Sequence, residues 1–220
     1  MSLYPLALCC AFAVAHGVAH AEPARYRLDP VHTRVMFAVS HAGFSDALGT
    51  VSGSEGELWF DPDDWSAARI EVQVPMARVD LGDARWNAAV LGARLLDAQT
   101  HPQARFVSER STRIGEDEGE VCGHLTLRGI TQPLCLRVRV NQIKRHPMPP
   151  FRRTAGFSAT AQLQRAAFGI DAWPSMIGDI VDLRIEAEAT RASQGDAQAP
   201  QNALDSSPSP SSLPPSEDAQ

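Results

Sequence analysis

The chain has 220 residues, of which 44% are hydrophobic, and a formal net charge of −6. Residues 192–220 hold four acidic side chains and no Lys or Arg, so the remainder is nearly neutral, which argues against a nucleic-acid partner. This terminal segment is rich in Pro, Ser and Gln and is predicted to be a disordered acidic tail. Residues 22–191 have the size of one domain with a sizeable core.

Residues 1–21 are predicted to be a secretory signal peptide. They carry no charged side chain, and their apolar run, residues 3–14, is too short to span a membrane. Ala19-His20-Ala21 is an A-x-A cleavage site. The alternative, a lipoprotein cysteine at Cys9, is disfavoured because Leu8 stands where a small residue is needed. The mature chain is therefore expected to be exported.

Alternation of apolar and polar residues dominates the mature chain. The first full strand is predicted from Arg34 to Ser40, where Val35, Phe37 and Val39 point to one side, and it is expected to open a closed sheet. Later segments repeat the pattern, and their inward residues are Leu58, Phe60, Ile70, Val72, Val74, Phe106, Leu125, Leu127, Leu136, Val138, Phe157, Val181 and Leu183. Strands with one apolar and one wet face are typical of an antiparallel sheet.

One segment departs from the alternation. Between Asp83 and Gln99, apolar residues such as Trp86 and Val90 recur at three- and four-residue spacing, which predicts an amphipathic helix. Asp83 is the expected N-cap, and His101-Pro102 is expected to close the helix. One helix among about eight strands favours a barrel with the helix over one opening or against one side, because closure removes the edges of the sheet.

Two cysteines, Cys122 and Cys135, remain after the predicted cleavage. If the residues from Leu127 to Ile130 form a two-residue hairpin turn, the two cysteines face each other on the polar side of the hairpin. A cross-strand disulfide is then one hypothesis, since an oxidising compartment lets such a bond persist. The other is a longer loop that shifts the register by two and leaves both thiols free.

Motifs for catalysis and metal binding are missing from the sequence. His32 and His41 would lie roughly 30 Å apart on one continuous strand, and no H-x-x-x-H, C-x-x-C or H-E-x-x-H pattern occurs. Gly43-Phe44-Ser45 and Gly156-Phe157-Ser158 both fail to complete G-x-S-x-G. We predict no enzyme, no metal and no cofactor. The basic residues around Pro147–Pro150 either meet anionic lipid head groups in a transient membrane contact or form a solvated hairpin end.

The interior of the barrel remains as the functional site. An eight-stranded barrel is either filled by its side chains or wide enough to hold one small ligand. The inward residues are aliphatic and aromatic, which suits a long apolar molecule. A fully packed core would show the same alternation, so periodicity leaves both alternatives open.

Several motifs, in this order along residues 24–190, resemble those of the YceI-like polyisoprenoid-binding family. They are Tyr26-x-Leu28-Asp29-Pro30-x-His32-Thr33, Leu96-Asp97-x4-Pro102-x3-Phe106, the run Gly123–Pro133, Arg165-x2-Phe168-Gly169-Ile170 and Gly178-Asp179-x-Val181. The resemblance implies an extended, eight-stranded, antiparallel lipocalin-like barrel that binds a long-chain isoprenoid or fatty amphiphile in its lumen. It also implies a periplasmic location and a capacity to form homodimers, and it brings no catalytic residues.

The resemblance also implies which residues contribute to the tunnel. Carried over onto this chain, they are Phe37, Val39, Phe106, Leu125, Leu127, Phe168 and Val181. Trp173, Met176 and Ile177 are predicted near a mouth, as a gate. Together with the inward strand residues, these form the predicted ligand-binding set. The predicted helix departs from the family because it is more aliphatic and lacks the usual doublet of phenylalanines.

The leading hypothesis is a periplasmic binding or carrier protein for a long-chain apolar lipid. The alternative is a non-enzymatic accessory protein that docks to a membrane redox or stress-response partner, with the barrel only a scaffold. A lumen that holds lipid favours the first, and a packed, empty core favours the second.

Overall fold

The computed structural model describes residues 22–193; the predicted signal peptide and residues 194–220 of the predicted tail lie outside the described residues. The strands are β1 (Ala24–Leu28), β2 (Arg34–His41), β3 (Ser45–Ser52), β4 (Glu55–Phe60), β5 (Arg69–Pro75), β6 (Val79–Asp80), β7 (Gln103–Arg113), β8 (Glu118–Leu127), β9 (Ile130–Arg145), β10 (Arg153–Gln164) and β11 (Ile177–Arg191). The α-helix of this range is α1 (Ala84–Leu91), and short 3₁₀ helices span Trp65–Ala67, Met76–Arg78 and Arg165–Phe168.

Eight of these strands close into a barrel in the order β1, β4, β5, β7, β8, β9, β10 and β11. The ring closes where β1 pairs with the C-terminal part of β11, with Leu28 opposite Ala189. Every pairing in the ring is antiparallel. The predicted eight-stranded antiparallel barrel with one α-helix is therefore confirmed.

The strand predicted to open the closed sheet, β2, lies outside this ring. β11 has 15 residues and β1 has only 5, so β1 covers only one end of the edge of β11. β2 pairs with the other end, between Ile177 and Glu186, and β3 and β6 follow it in the sheet. The barrel is therefore elongated, with β1 against one end of β11 and β2 against the other.

The α-helix is shorter than predicted. Asp83 is the N-cap as expected, and its carboxylate accepts hydrogen bonds from the backbone N–H groups of Arg85 and Trp86. The helix ends at Leu91, because Gly92 takes an extended conformation, and residues 93–100 form turns rather than two further helical turns. No residue of α1 is buried. The helix is therefore only lightly packed on the barrel.

The hairpin between β8 and β9 has the two-residue turn rather than the longer loop, the two alternatives that the sequence left open. Arg128 and Gly129 both have positive φ angles, of 50° and 75°, and Leu127 lies opposite Ile130. Cys122 consequently lies opposite Cys135, and the structure joins them in a disulfide with a Cα–Cα distance of 4.0 Å. The end of the barrel with this turn and α1 is called the helix end below. The opposite end, with the 114–117 turn between β7 and β8, is called the far end.

A carboxylate organises the turn that takes the chain from β1 to β2. Asp29 accepts hydrogen bonds from the N–H groups of Val31 and His32, and one of its oxygens lies 2.7 Å from Nδ1 of His32. Burial raises the pKa of Asp29, but these hydrogen bonds outweigh it and lower the pKa below its ordinary value. The hydrogen bond to Asp29 raises the pKa of His32 above 6.5.

Replacing Asp29 with asparagine should lower the pKa of His32 towards its ordinary value, because the anionic partner of the ring is lost. A raised pKa means that the contribution of His32 to stability is complete below its unfolded pKa and is lost as the pH rises through its folded pKa. An NMR titration of the ring resonances measures the folded pKa of His32, and urea unfolding at pH values below and above that pKa measures the change in stability. Asp61→Asn, in a different turn, is the control, and an unchanged His32 titration in Asp29→Asn would contradict the assignment.

Removing the disulfide in a Cys122→Ala, Cys135→Ala double variant should lower the free energy of unfolding by about 3 kcal/mol. The reason is that the bond joins residues 13 positions apart and closes a loop in the unfolded chain. Urea unfolding with and without reductant measures the loss. The control is a Thr126→Val, Thr131→Val variant, which removes only an exposed hydroxyl pair from the same hairpin. A wild-type midpoint that does not respond to reductant would count against the bond.

Candidate functional site

The barrel contains a cavity of about 470 Å³. Well-packed protein interiors have few voids larger than a water molecule, whereas small-molecule sites occupy about 300–1,000 Å³. The cavity therefore has the dimensions of a ligand site. Of the two alternatives that the alternation left open, the structure has the barrel with a lumen rather than the filled one.

The wall of the cavity comes from alternate residues of the barrel strands and of the β2–β3 extension. Eighteen of the twenty residues in the predicted ligand-binding set line it. They are Val35, Phe37, Val39, Leu58, Phe60, Ile70, Val72, Val74, Phe106, Leu125, Leu127, Leu136, Val138, Phe157, Trp173, Ile177, Val181 and Leu183. A strand places every second side chain on the same face, which is why these positions were readable from the sequence.

Two residues of the predicted set do not reach the cavity. Phe168 is only 2% exposed, but it lies in a 3₁₀ helix and packs behind Leu95 and Ile170, which line the cavity while Phe168 does not. Met176 is 47% exposed and faces solvent in the loop before β11. Both lie outside the strands, where alternation does not determine the direction of a side chain.

The sequence also failed to indicate several residues of the wall. Trp65 lies in a 3₁₀ helix, and Trp86 lies in α1, so neither belongs to an alternating strand. Ala47 and Val51 of β3 line the cavity too, but the exposed Leu48 on the outer face hides the alternation of that strand. Arg165 lines the cavity as well, and the sequence did not indicate it because a charged side chain is not expected on an apolar wall.

Aromatic rings close the cavity at the far end. The ring of Phe60 contacts Trp65 and Phe157 in edge-to-face geometry, with centroid distances of 5.1 and 5.7 Å. All three residues line the cavity and belong to, or pack against, a cluster that includes the fully buried Ala155 and Ala189. The lumen therefore ends in a packed core rather than in a second opening.

The helix end is less tightly closed. Trp86 of α1 and Trp173 of the loop before β11 line the cavity and are also exposed to solvent. The Trp86 ring lies 5.3 Å from the ring of His41, and the guanidinium of Arg94 lies 5.4 Å from the Trp173 ring. Since α1 has no buried residue, this end can open at a lower cost in packing than the far end.

More apolar surface adjoins the helix end. Phe44, in the turn between β2 and β3, is 92% exposed. A hydrogen bond of 2.6 Å from the N–H of Ala42 to the carbonyl of Met176 holds this turn against the loop before β11. Phe44, Trp86, Trp173 and Met176 thus lie on connected segments around the opening, and we call these four residues the mouth rim.

Among residues 22–193, Arg165 is the one Asp, Glu, Lys or Arg residue that lines the cavity, and it is 5% exposed. Its guanidinium donates hydrogen bonds to the carbonyl groups of Ile170, Ala172, Ile177 and Gly178, at 2.5–3.0 Å. Backbone carbonyl groups, rather than an acidic side chain, thus satisfy the buried guanidinium, and the same bonds fix the loop before β11. Because four donors are already used, the guanidinium offers few free hydrogen bonds to a ligand.

Ion pairs of the described residues lie on the outer face, as in Arg105–Glu71 and Arg137–Glu118. The hydrogen bond from Arg137 lowers the pKa of Glu118. A cluster of metal-ligating types, Glu120 with the two cysteines, also lies outside the cavity, and the disulfide consumes both thiols. None of the helices within residues 22–193 is long and apolar enough to cross a membrane. The cavity is therefore the main candidate site.

Comparisons with known proteins agree with this architecture. The model of the YceI-like domain matches residues 26–189. A UPF0312 protein of Pseudomonas putida is 31% identical over 173 residues, which cover 78% of this chain and 88% of the relative. BcnA of Burkholderia cenocepacia has a TM-score of 0.67 at 25% identity, over 74% of this chain and 99% of BcnA. A polyisoprenoid binding domain from Saccharophagus degradans has a TM-score of 0.58 at 13% identity, over 77% of this chain and 99% of that domain. At this identity, the similarity shows that the two proteins share a fold.

Proposed function

This chain belongs to the YceI-like domain family, and from that premise we propose that it is a periplasmic carrier that holds a long-chain isoprenoid or similar amphiphilic lipid in its cavity. The observation that carries the proposal is the cavity of about 470 Å³ with an almost wholly apolar wall. The Saccharophagus degradans neighbour, named for polyisoprenoid binding, supports this ligand class.

The energetics of such a site need few polar contacts. Each methylene group that moves from water into the cavity contributes about 0.8 kcal/mol. Apart from the internally bonded Arg165, the polar side-chain groups of the described wall are a few hydroxyl groups, His41 and four indole N–H groups. A polar head group is therefore accommodated best at the opening, with the chain inside.

The disulfide supports the proposed compartment. Cys122 and Cys135 form an exposed to half-buried cross-strand bond on the outer face of the barrel. Such a bond persists outside the cytoplasm, where the environment is oxidising. The predicted signal peptide provides the route of export.

The mouth rim supports the role of a carrier that loads from a bilayer. Large exposed apolar and aromatic side chains suit the boundary between head groups and acyl chains. Because Trp86 and Trp173 belong both to the rim and to the cavity wall, a lipid leaving the bilayer there would enter the lumen without crossing water. The transient membrane contact predicted from the basic 144–153 hairpin would instead use the far end.

A Val72→Lys variant should lose bound lipid, because its ammonium group would enter the apolar lumen. The matched control is Gln73→Lys, one residue further along β5 on the exposed face. Native mass spectrometry of protein purified from the exported fraction, followed by lipid extraction, measures occupancy in both variants and in the wild type.

A stoichiometric isoprenoid in the wild type and in Gln73→Lys, but not in folded Val72→Lys, is the expected result. Circular dichroism checks that each variant is folded. A wild type that carries no lipid and takes up no added polyprenyl lipid would refute the carrier function and favour the accessory protein with a membrane partner.

Replacing Phe44 with serine should weaken binding to vesicles of phosphatidylethanolamine and phosphatidylglycerol by about tenfold to a hundredfold, since burial of a phenylalanine contributes about 1.5–3 kcal/mol. Phe151→Ser is the matched control, because Phe151 is also exposed but lies in the hairpin at the far end. Vesicle co-sedimentation measures both. If only Phe151→Ser weakens vesicle binding, the membrane contact lies at the basic 144–153 hairpin instead of the mouth rim.

A further inference from the structure

We propose that Trp65, supported by Phe60 and Phe157, is the stop that sets the length of the chain accepted by the cavity. This inference rests on the proposed lipid-binding function and names the residue that would give the site its length preference. The mouth rim controls entry, whereas these three rings determine how far a chain can advance from the helix end.

Trp65 is held in place by its local structure. It begins the 3₁₀ helix Trp65–Ala67 between β4 and β5, and it is 4% exposed. Asp64 caps this helix, and its carboxylate accepts a 3.0 Å hydrogen bond from the N–H of Ser66. The cap fixes the backbone from which the indole enters the lumen.

Gly119 of β8 makes room for the indole. A Cβ atom built at Gly119 would lie 2.2 Å from the Trp65 ring, far inside contact distance. Gly119 pairs with Arg113 next to the turn between β7 and β8, so the ring covers the far end of the barrel. A side chain at position 119 and the indole cannot both occupy this space.

The three rings form a rigid stop rather than a loose end. The planes of Phe60 and Trp65 cross at 90° and those of Phe60 and Phe157 at 86°, the edge-to-face geometry that aromatic pairs prefer. Tyr26 and Ala155, which belong to the same cluster but do not line the cavity, are buried. A chain that reaches the rings has no room to continue.

Of the three aromatic residues, Trp65 is the one that can be replaced by a smaller side chain with the least effect on the barrel. Phe60 and Phe157 lie within β4 and β10, where their backbones pair with neighbouring strands. Trp65 lies in a connection outside the ladder. A smaller side chain there would deepen the lumen towards Gly119 and leave the strand pairing intact.

The test is a binding series with saturated fatty acids, each two carbons longer than the one before, measured by isothermal titration calorimetry. For the wild type, affinity should rise about fourfold per added methylene, from about 0.8 kcal/mol each, until a cutoff length beyond which it rises no further. Trp65→Ala should move this cutoff to longer chains by several methylenes. Ile114→Ala, in the exposed 114–117 turn at the far end and outside the residues that line the cavity, is the control and should keep the wild-type cutoff.

A substitution that should shorten the cavity provides a second test. Ala187 lines the cavity and packs against the far-end cluster, so Ala187→Leu should move the cutoff to shorter chains. Trp65→Leu replaces Trp65→Ala if circular dichroism shows that the alanine variant is unfolded. A cutoff that stays at the wild-type length in folded Trp65 variants overturns the proposed stop, while the lipid-binding function stands. A wild type that binds neither the series nor a polyprenol contradicts the function itself.

Discussion

The fold depends on how the long edge of β11 is shared. A single short strand cannot satisfy the backbone N–H and C=O groups of 15 residues, so β1 and β2 take different parts of the edge. The ring closes through β1, while β2 and β3 extend the wall at the helix end. This arrangement makes the barrel long and gives its two ends different neighbours. An elongated lumen that is closed at one end follows from it.

The two ends differ because their side chains differ in size and in support. At the far end, Ala155 lies opposite Ala189 with no exposed surface, and this close approach lets large rings fill the remaining space. At the helix end, the cover consists of α1, which has no buried residue, and of the loop that Arg165 holds by backbone hydrogen bonds. Packing therefore resists opening at the far end much more than at the helix end.

The sequence predicted the barrel and eighteen of the residues that line the cavity, because strand alternation fixes which side chains point inward. It left two registers open for the hairpin of Cys122 and Cys135, and the structure has the one with a two-residue turn, in which the cysteines face each other. It could not place β2 outside the ring, because that depends on the length of β11 relative to β1. Residues in 3₁₀ helices, such as Trp65 and Phe168, carry no periodic signal, and the early end of α1 depends on Gly92.

A wall of this kind can select ligands by shape more readily than by head-group chemistry. A missing or additional methylene in an apolar pocket changes binding by about 1–3 kcal/mol, whereas strong chemical selection requires buried polar groups that only the right ligand satisfies. Arg165 is the charged group nearest to that role, but four backbone carbonyls already accept its hydrogen bonds. If the proposed function holds, selectivity therefore lies in chain length and in access through the mouth rim, and head groups of different chemistry should be tolerated outside the lumen.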